Sequence, residues 1–235
     1  MSERKAVVLA ASAPDSVQWT AEAIAAGKVV AMPTDTVYGL VASLSHPDAI
    51  TRVFEMKRRD LSRVLPVLIS SADQVAHLTG DLDPDVPLLL ATYWPGPLTV
   101  VVPALAGMPA GVVGSDGTVG LRVPNHPTAI AVLERAGGSV ACTSANRSGE
   151  LPARTAADVF DALGDEVDLI LDGGQTPGGT PSTVIRAVGG RLSLLRAGAI
   201  PIEHIRRSWR ELRAQGRPTP GRTVPGRPSP GQAER

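Results

Sequence analysis

The sequence predicts an α/β fold built on a mixed sheet. Three observations carry that prediction. Short apolar runs alternate with helix-period stretches over the first 205 residues, Gly, Ser, Thr and Asp punctuate the junctions, and some apolar runs follow one another with no helix between them. In chain order, the strand Val7–Leu9 comes first, followed by a helix over 15–26 that Asp15 caps and Gly27 stops. Strands Val29–Met32 and Val37–Val41 lead into a helix over 47–57, where Ala49, Ile50, Val53, Phe54 and Met56 recur at helical spacing. The strand Val64–Ile69 precedes helices at 71–79, from Ser71 to Gly80, and at 84–92. Strands Leu98–Val102 and Val119–Val123 then adjoin, a helix at 126–136 ends at Gly137, and Val140–Cys142 follows. A helix over 155–163, capped by Thr155 and stopped by Gly164, leads to strands Leu169–Leu171, Thr183–Ile185 and Leu192–Leu195.

Composition bounds the function. At 235 residues, 43% hydrophobic and 20% charged, the chain is large enough for one substantial core. No apolar run reaches membrane-spanning length, and MSERKAVVLAASAPDSV has no signal-peptide core, so no membrane role and a cytoplasmic location are expected. One cysteine, Cys142, excludes an internal disulfide, and its apolar strand reads as a site for a buried, inert thiol. The four histidines (His46, His77, His126 and His204) show no metal-ligand spacing, so no protein-ligated metal is expected, and His126 reads as a residue at a helix start. The net charge is zero but unevenly placed. Residues 1–205 hold 15 Lys and Arg against 21 Asp and Glu, a net −6, whereas residues 206–235 hold 8 Arg against Glu211 and Glu234, a net +6. We therefore expect a catalytic domain over 1–205, then a basic short helix carrying Arg206, Arg207, Arg210 and Arg213. Beyond it a Pro/Gly/Arg-rich tail is expected to be disordered, and is either a solubilising extension or a contact for RNA.

Four polar segments interrupt strand edges. Lys57-Arg58-Arg59, with Arg63 behind it, sits between the apolar helix and VLPVLI. It is either a solvated helix end or a socket for a polyanion such as a triphosphate, and concentrating cations in an otherwise acidic body favours the socket. PTDTVYGL (33–40) places two hydroxyls and a carboxylate after a buried strand, as a ligand-presenting loop or as a local Asx- or ST-type turn. TSANRSGE (143–150) offers neutral donors and acceptors. GTPST (179–183) follows a glycine-rich stretch that lets a ligand approach the backbone. Neither a dinucleotide fingerprint nor a GxxxxGK[ST] loop occurs, and the histidines form no Ser-His-Asp pattern. The chemistry on offer is positive charge and neutral hydrogen bonding.

Taken in order, PTDTVYGL (33–40), the pair Lys57/Arg59 before LPVLI, WPGPLT (94–99), TVGLRVPNHP (118–127), SANRSG (144–149), Ser182-Thr183 and LLRAG (194–198) resemble the YrdC-like family of L-threonylcarbamoyladenylate synthases, in its single-domain form. The resemblance spans roughly residues 15–200. It implies a twisted open α/β sheet with a concave cationic face. The implied reaction joins L-threonine, bicarbonate and ATP, with Mg2+ on the phosphates, into threonylcarbamoyl-AMP and pyrophosphate. A partner transferase then delivers the threonylcarbamoyl group to the adenosine beside the anticodon of tRNAs reading codons that begin with A. By match to the family motifs, Thr36, Arg122, Ser144 and Ser182 would hold threonine. Arg59, Arg63, Thr118, Asn146, Arg154 and Arg196 would hold ATP, and Lys57 with Arg59 would carry catalysis. The chain departs from the family pattern at Asp60, Arg63, Leu68 and Thr143, where proline, asparagine or lysine, histidine and proline respectively are common. Two other readings stay open: an RNA-binding module without catalysis, and a carbamoyl-adenylate domain of the hydrogenase-maturation type.

Overall fold

The computed structural model describes residues 6–60, 63–164 and 166–215. Its elements run β1 (Val7–Ala10), α1 (Ser16–Ala25), β2 (Val30–Met32), β3 (Gly39–Ser43), α2 (Pro47–Lys57) and β4 (Val67–Ile69). A 3-10 helix (Ala72–His77), α3 (Asp85–Tyr93), β5 (Leu98–Pro103), β6 (Thr118–Arg122), α4 (Pro127–Arg135) and β7 (Ser139–Ser144) follow. The last elements are α5 (Ala156–Leu163), β8 (Leu169–Asp172), β9 (Thr183–Val188), β10 (Arg191–Arg196) and α6 (Ile202–Gln215).

All ten strands join one open sheet in the order β1-β8-β2-β3-β7-β4-β6-β5-β9-β10. Neighbours pair in parallel at β1–β8, β2–β8, β4–β6 and β5–β9, and antiparallel elsewhere, so the sheet is mixed as expected. Side chains alternate between its two faces. One face presents Leu40, Val67, Ile69, Leu98, Val100, Leu121, Ala141 and Ile185 to a continuous core completed by α2, α3, α5 and α6. The other face is covered over only part of its width. Val30, Met32, Val41, Val140, Leu169 and Leu171 meet Ile24 of α1 and Val132 and Leu133 of α4. Beyond Leu68 and Cys142 this second face continues as Thr99, Val101, Thr118, Gly120, Arg122, Val184 and Arg186, which line a cavity instead. Part of this sheet face is thus left without a helix over it, and there polar residues join Val101 and Val184 on the cavity floor.

The local chemistry explains most element ends. Thr155 caps α5 in a reciprocal box with Asp158, whose carboxyl is held below its ordinary range mainly by backbone N–H donation. His126 Nδ1 accepts from Ala129 N–H at the start of α4, and Ser71 accepts from Asp73 N–H. Asp15 differs from expectation. It stands at the start of α1 with φ 60° and makes no side-chain cap bond there. The expected helix at 71–79 is a 3-10 helix over Ala72–His77. The strand expected at 37–41 begins at Gly39, because Thr34 folds residues 34–37 into a turn. Its hydroxyl accepts from Thr36 N–H (3.2 Å) and Val37 N–H (3.3 Å) and donates to Val37 O (2.7 Å).

The boundary expected at 205/206 is corrected: it cuts through α6. Ile205 is fully buried, Trp209 is 6% exposed, and both belong to the main core. Tyr93 of α3 pairs with Ser208 (2.9 Å), and Arg213 reaches Asp85, Gly190 O and the Trp209 ring. The folded unit therefore includes the arginine-bearing helix, while the expected disorder of 216–235 falls outside the described residues. Trp209→Ala should cost about 3–5 kcal/mol, as removal of a core aromatic does. A chain ended at residue 205 should melt well below the full chain by circular dichroism. An unchanged melting temperature in both would place α6 outside the core.

Candidate active site

The open half of the sheet face forms a cavity of about 520 Å³. β5, β6, β9 and β10 make its floor, and the loops after β2 and α2 and the end of β7 make its rim.

Arg122, at the end of β6, is 6% exposed. Its Nε donates to Gly96 O (2.9 Å), Nη1 to Thr36 Oγ1 (3.1 Å) and Nη2 to Asp35 Oδ1 (2.5 Å). One guanidinium thus ties the PTDT turn and the WPG turn to the sheet, and two of its five N–H groups remain. Burial pulls its pKa down, and Asp35 opposes that pull. Nearby, Thr99 and Ser182 share a hydroxyl–hydroxyl hydrogen bond (2.8 Å), and Arg196 donates to Ser182 O (2.8 Å) and Oγ (3.1 Å). A buried cation ringed by hydroxyls suits a small ligand that carries a carboxylate.

Arg59 follows the left-handed Arg58 (φ 49°), the residue that ends α2. Its guanidinium donates to Arg63 O (2.9 Å), Val64 O (3.1 Å) and Thr143 Oγ1 (3.4 Å). The threonine at 143, where the family pattern commonly has proline, supplies a hydroxyl that Arg59 uses. Burial lowers the pKa of Arg59, with smaller contributions from Arg63 and Arg196. On the cavity wall Arg122 is balanced by Asp35, and Arg186 by Asp116, which leaves Arg59, Arg63 and Arg196 as surplus charge on described wall residues. Three arginines around an open cavity form a site for a polyanion.

Of the residues singled out from sequence, Thr36, Arg59, Arg63, Thr118, Arg122, Ser144, Ser182 and Arg196 line this cavity together. Lys57, Asn146 and Arg154 do not. Lys57 is 2% exposed and sits behind the wall, where its ammonium donates to Ser144 O (2.5 Å), Asn146 O (2.5 Å) and Asn146 Oδ1 (3.1 Å). Three donors meet three acceptors, so the expectation that Lys57 faces a phosphate is corrected: it clamps the Ser-Ala-Asn loop. Asn146 is committed as well, its amide donating to Arg147 O (2.9 Å) and Glu150 O (2.7 Å). Arg154 is exposed and lies against Gly179. Sequence reasoning missed Thr99, Thr143, Asp116 and Arg186, although the alternation of Thr99 and Val101 in β5 was available as a signal. It also missed the role of Tyr38, whose buried hydroxyl donates to Gly174 O (2.8 Å) and accepts from Gly173 N–H (3.1 Å). Burial raises its pKa to about 12.

A family model named Sua5/yciO/yrdC and described as "Telomere recombination" matches residues 22–198. The chain belongs to the Sua5/YciO/YrdC family. It is 36% identical over 187 residues to the threonylcarbamoyl-AMP synthase of Pyrococcus abyssi, covering 80% of this chain and 55% of that protein. It is 37% identical over 180 residues to the threonylcarbamoyl-AMP synthase of Bacillus subtilis, covering 76% of this chain and 52% of the other. The chain thus spans little more than half the length of these two relatives. Among solved structures, P. abyssi Sua5 complexed with L-threonine superposes with a TM-score of 0.81 at 33% identity, over 86% of this chain and 60% of that one. Membership of this family accounts for the open sheet and the ordered motifs at its edge.

The clamp makes a pH prediction. Burial, followed by the neighbouring Arg59, lowers the Lys57 pKa to about 8. Below that pH the ammonium donates three hydrogens. Above it the amine keeps two, and one of the three loop acceptors loses its partner. Hydrogen-exchange protection of the Asn146 and Ser148 amides should therefore fall as pH rises through about 8. In Lys57→Met it should be low throughout, because buried acceptors stay unpaired. Full protection in Lys57→Met would refute the clamp.

Proposed function

We propose that this chain makes L-threonylcarbamoyl-AMP and pyrophosphate from L-threonine, bicarbonate and ATP. The observation that carries the reading is the buried, hydroxyl-ringed Arg122 on the same open sheet face as the surplus arginines Arg59, Arg63 and Arg196. An RNA-binding surface would use the exposed cations but gives no reason to bury Arg122 among Thr36, Thr99 and Ser182. Threonine's carboxylate takes the two N–H groups that Arg122 has left, and its hydroxyl meets Thr36 or Ser182. Its amine condenses with bicarbonate, losing water, to give a carbamate. A carbamate oxygen then bonds to the α-phosphorus of ATP as the bond from that phosphorus to the bridging oxygen breaks, and pyrophosphate leaves with the electron pair. Arg59, Arg63 and Arg196 stabilise the charge that gathers on the phosphates. Lys57 acts as a positioning residue by holding Ser144 on the wall.

Among the described residues no group of three or more His, Cys, Asp or Glu forms a metal cluster, and the one carboxylate on the wall, Asp116, is paired. Such a wall does not fit a resident cation, so Mg2+ enters as part of the substrate, MgATP. The mixed anhydride is a labile acyl donor, and its consumer in this reading is a threonylcarbamoyl transferase partner acting on tRNA. Direct contact with tRNA and a cytoplasmic location belong to the same proposal. No helix among the described residues is long and apolar enough to cross a membrane.

The test is pyrophosphate release from ATP, which should require both threonine and bicarbonate. Arg59→Ala should lower turnover on the order of a hundredfold, the loss of one preorganised charge contact. Arg122→Ala should raise the KM for threonine at least about tenfold and leave the KM for ATP nearly unchanged. Equal effects on both substrates would move Arg122 to the nucleotide. Release that ignores threonine would sink the reading.

A further inference from the structure

Asp116 is the only carboxylate among the described residues lining a cavity otherwise edged by arginines. A negative charge there weakens the hold on any triphosphate, so its retention calls for a compensating role. Its geometry supplies one. Oδ1 accepts the Thr118 hydroxyl hydrogen (2.7 Å) and the Thr118 N–H (3.3 Å), while Oδ2 pairs with Arg186. The turn that carries it is closed by Gly114 N–H on Thr118 O (2.8 Å) and Gly117 N–H on Gly114 O (2.9 Å), and Gly117 takes φ +71°. A Cβ at Gly114 would lie 2.7 Å from Asp116 Oδ1, so glycine makes the room this carboxylate occupies. The hydrogen bond from Thr118, then the one from Arg186, hold the Asp116 carboxyl below its ordinary range, so it is ionised and acts only as an acceptor.

A hydroxyl has one hydrogen and two lone pairs. With its hydrogen committed to Asp116, Thr118 can offer a ligand only an acceptor. Thr118 and Arg122 stand on the same face of β6, four residues and so about 13 Å apart. Gly120 between them adds no side chain to the floor, and Val101, its partner on β5, adds an apolar surface suited to a flat base. An acyl adenylate held by its amino-acid carboxylate at Arg122 would lay its base toward Thr118. We propose that Asp116 is a specificity-determining positioning residue: by taking the Thr118 hydrogen it presents that oxygen as an acceptor for the 6-amino group of adenine. It thereby disfavours purines with a 6-oxo group, whose own lone pairs would face it. This inference rests on the proposed ATP-dependent reading and assigns its base discrimination.

The experiment compares ATP with inosine triphosphate, which differs at the 6-position, on the full chain. Binding is read by calorimetry and turnover by pyrophosphate release. The wild-type protein should bind ATP about tenfold more tightly than inosine triphosphate, the scale of one mismatched hydrogen bond. Asp116→Ala frees the Thr118 hydrogen to turn toward a 6-oxo group, so the preference should fall to near unity. Asp116→Asn keeps an acceptor for Thr118 and should keep the preference, and Thr118→Val should lose it. A purely structural role would weaken both nucleotides together and leave their ratio unmoved. The proposal is overturned if Asp116→Ala keeps the wild-type ratio, or if the wild-type protein binds both nucleotides alike. If Asp116→Ala fails to fold, Thr118→Val set against Asp116→Asn decides the matter: equal ratios in those two variants overturn the proposal, and a preference kept only in Asp116→Asn supports it. A wild-type protein that releases no pyrophosphate yet shows these binding ratios would refute the synthase reading and support the role of Asp116.

Discussion

A guanidinium taken almost entirely out of water is the constraint on which the site depends. Burying Arg122 carries a desolvation cost that only good hydrogen-bond geometry and a counter-charge offset. The structure meets that cost with Asp35, Thr36 and Gly96 O. These partners come from two turns far apart in sequence, so the same contacts that neutralise the cation fix the PTDT turn and the WPG turn on the sheet. Removing Arg122 or Asp35 would leave the other charge buried without its counter-ion. The arrangement also explains why Thr34 folds its own turn, because Thr36 must present its hydroxyl to Arg122 at a defined height above β3.

The second organising feature is the uneven cover of the sheet. α1 and α4 roof the part of the face that carries Val30, Met32, Val140 and Leu171, and stop at Leu68 and Cys142. Where no helix follows, the same alternation turns Thr99, Thr118, Arg122 and Arg186 toward the cavity. A continuous core on the opposite face carries the stability, which lets the open half hold cations and hydroxyls instead of apolar side chains. Surplus positive charge is then concentrated where water is partly displaced, and there it acts more strongly on an anion than it would on an exposed surface. Cys142 marks the border between the halves. Burial pushes its pKa up to about 12, which keeps it an inert thiol beside the charged site.

Much of this was legible in the sequence. Every expected strand has a counterpart, because each apolar run is short and bounded by turn residues, and most differ only by the residues that turns withdraw or pairing adds. Eight of the expected site residues share one cavity, since each lies at a strand end or in the loop beside one. What was not legible has identifiable causes. The Lys57-Arg58-Arg59 run gave no sign that its members diverge. Left-handed Arg58 turns the chain, so Lys57 points back into the Ser-Ala-Asn loop while Arg59 reaches the wall. α6 carries so many arginines that it read as a basic extension, and only the spacing of Ile205, Trp209 and Leu212 betrays a buried stripe. The pairing of Asp116 with Arg186 spans 70 residues and could not be read from local pattern, although its bond with Thr118 is only two residues long.

In the proposed reading, one partly open sheet face holds the amino acid at one end and the nucleotide at the other. Backbone amide shifts recorded by nuclear magnetic resonance during separate titrations with L-threonine and a non-hydrolysable ATP analogue test it most directly. Threonine should move Thr36, Gly96, Arg122 and Ser182, while the analogue should move Arg59, Thr118 and Arg196. Perturbations confined to the α1 and α4 side, or the same residues moving for both ligands, would contradict it.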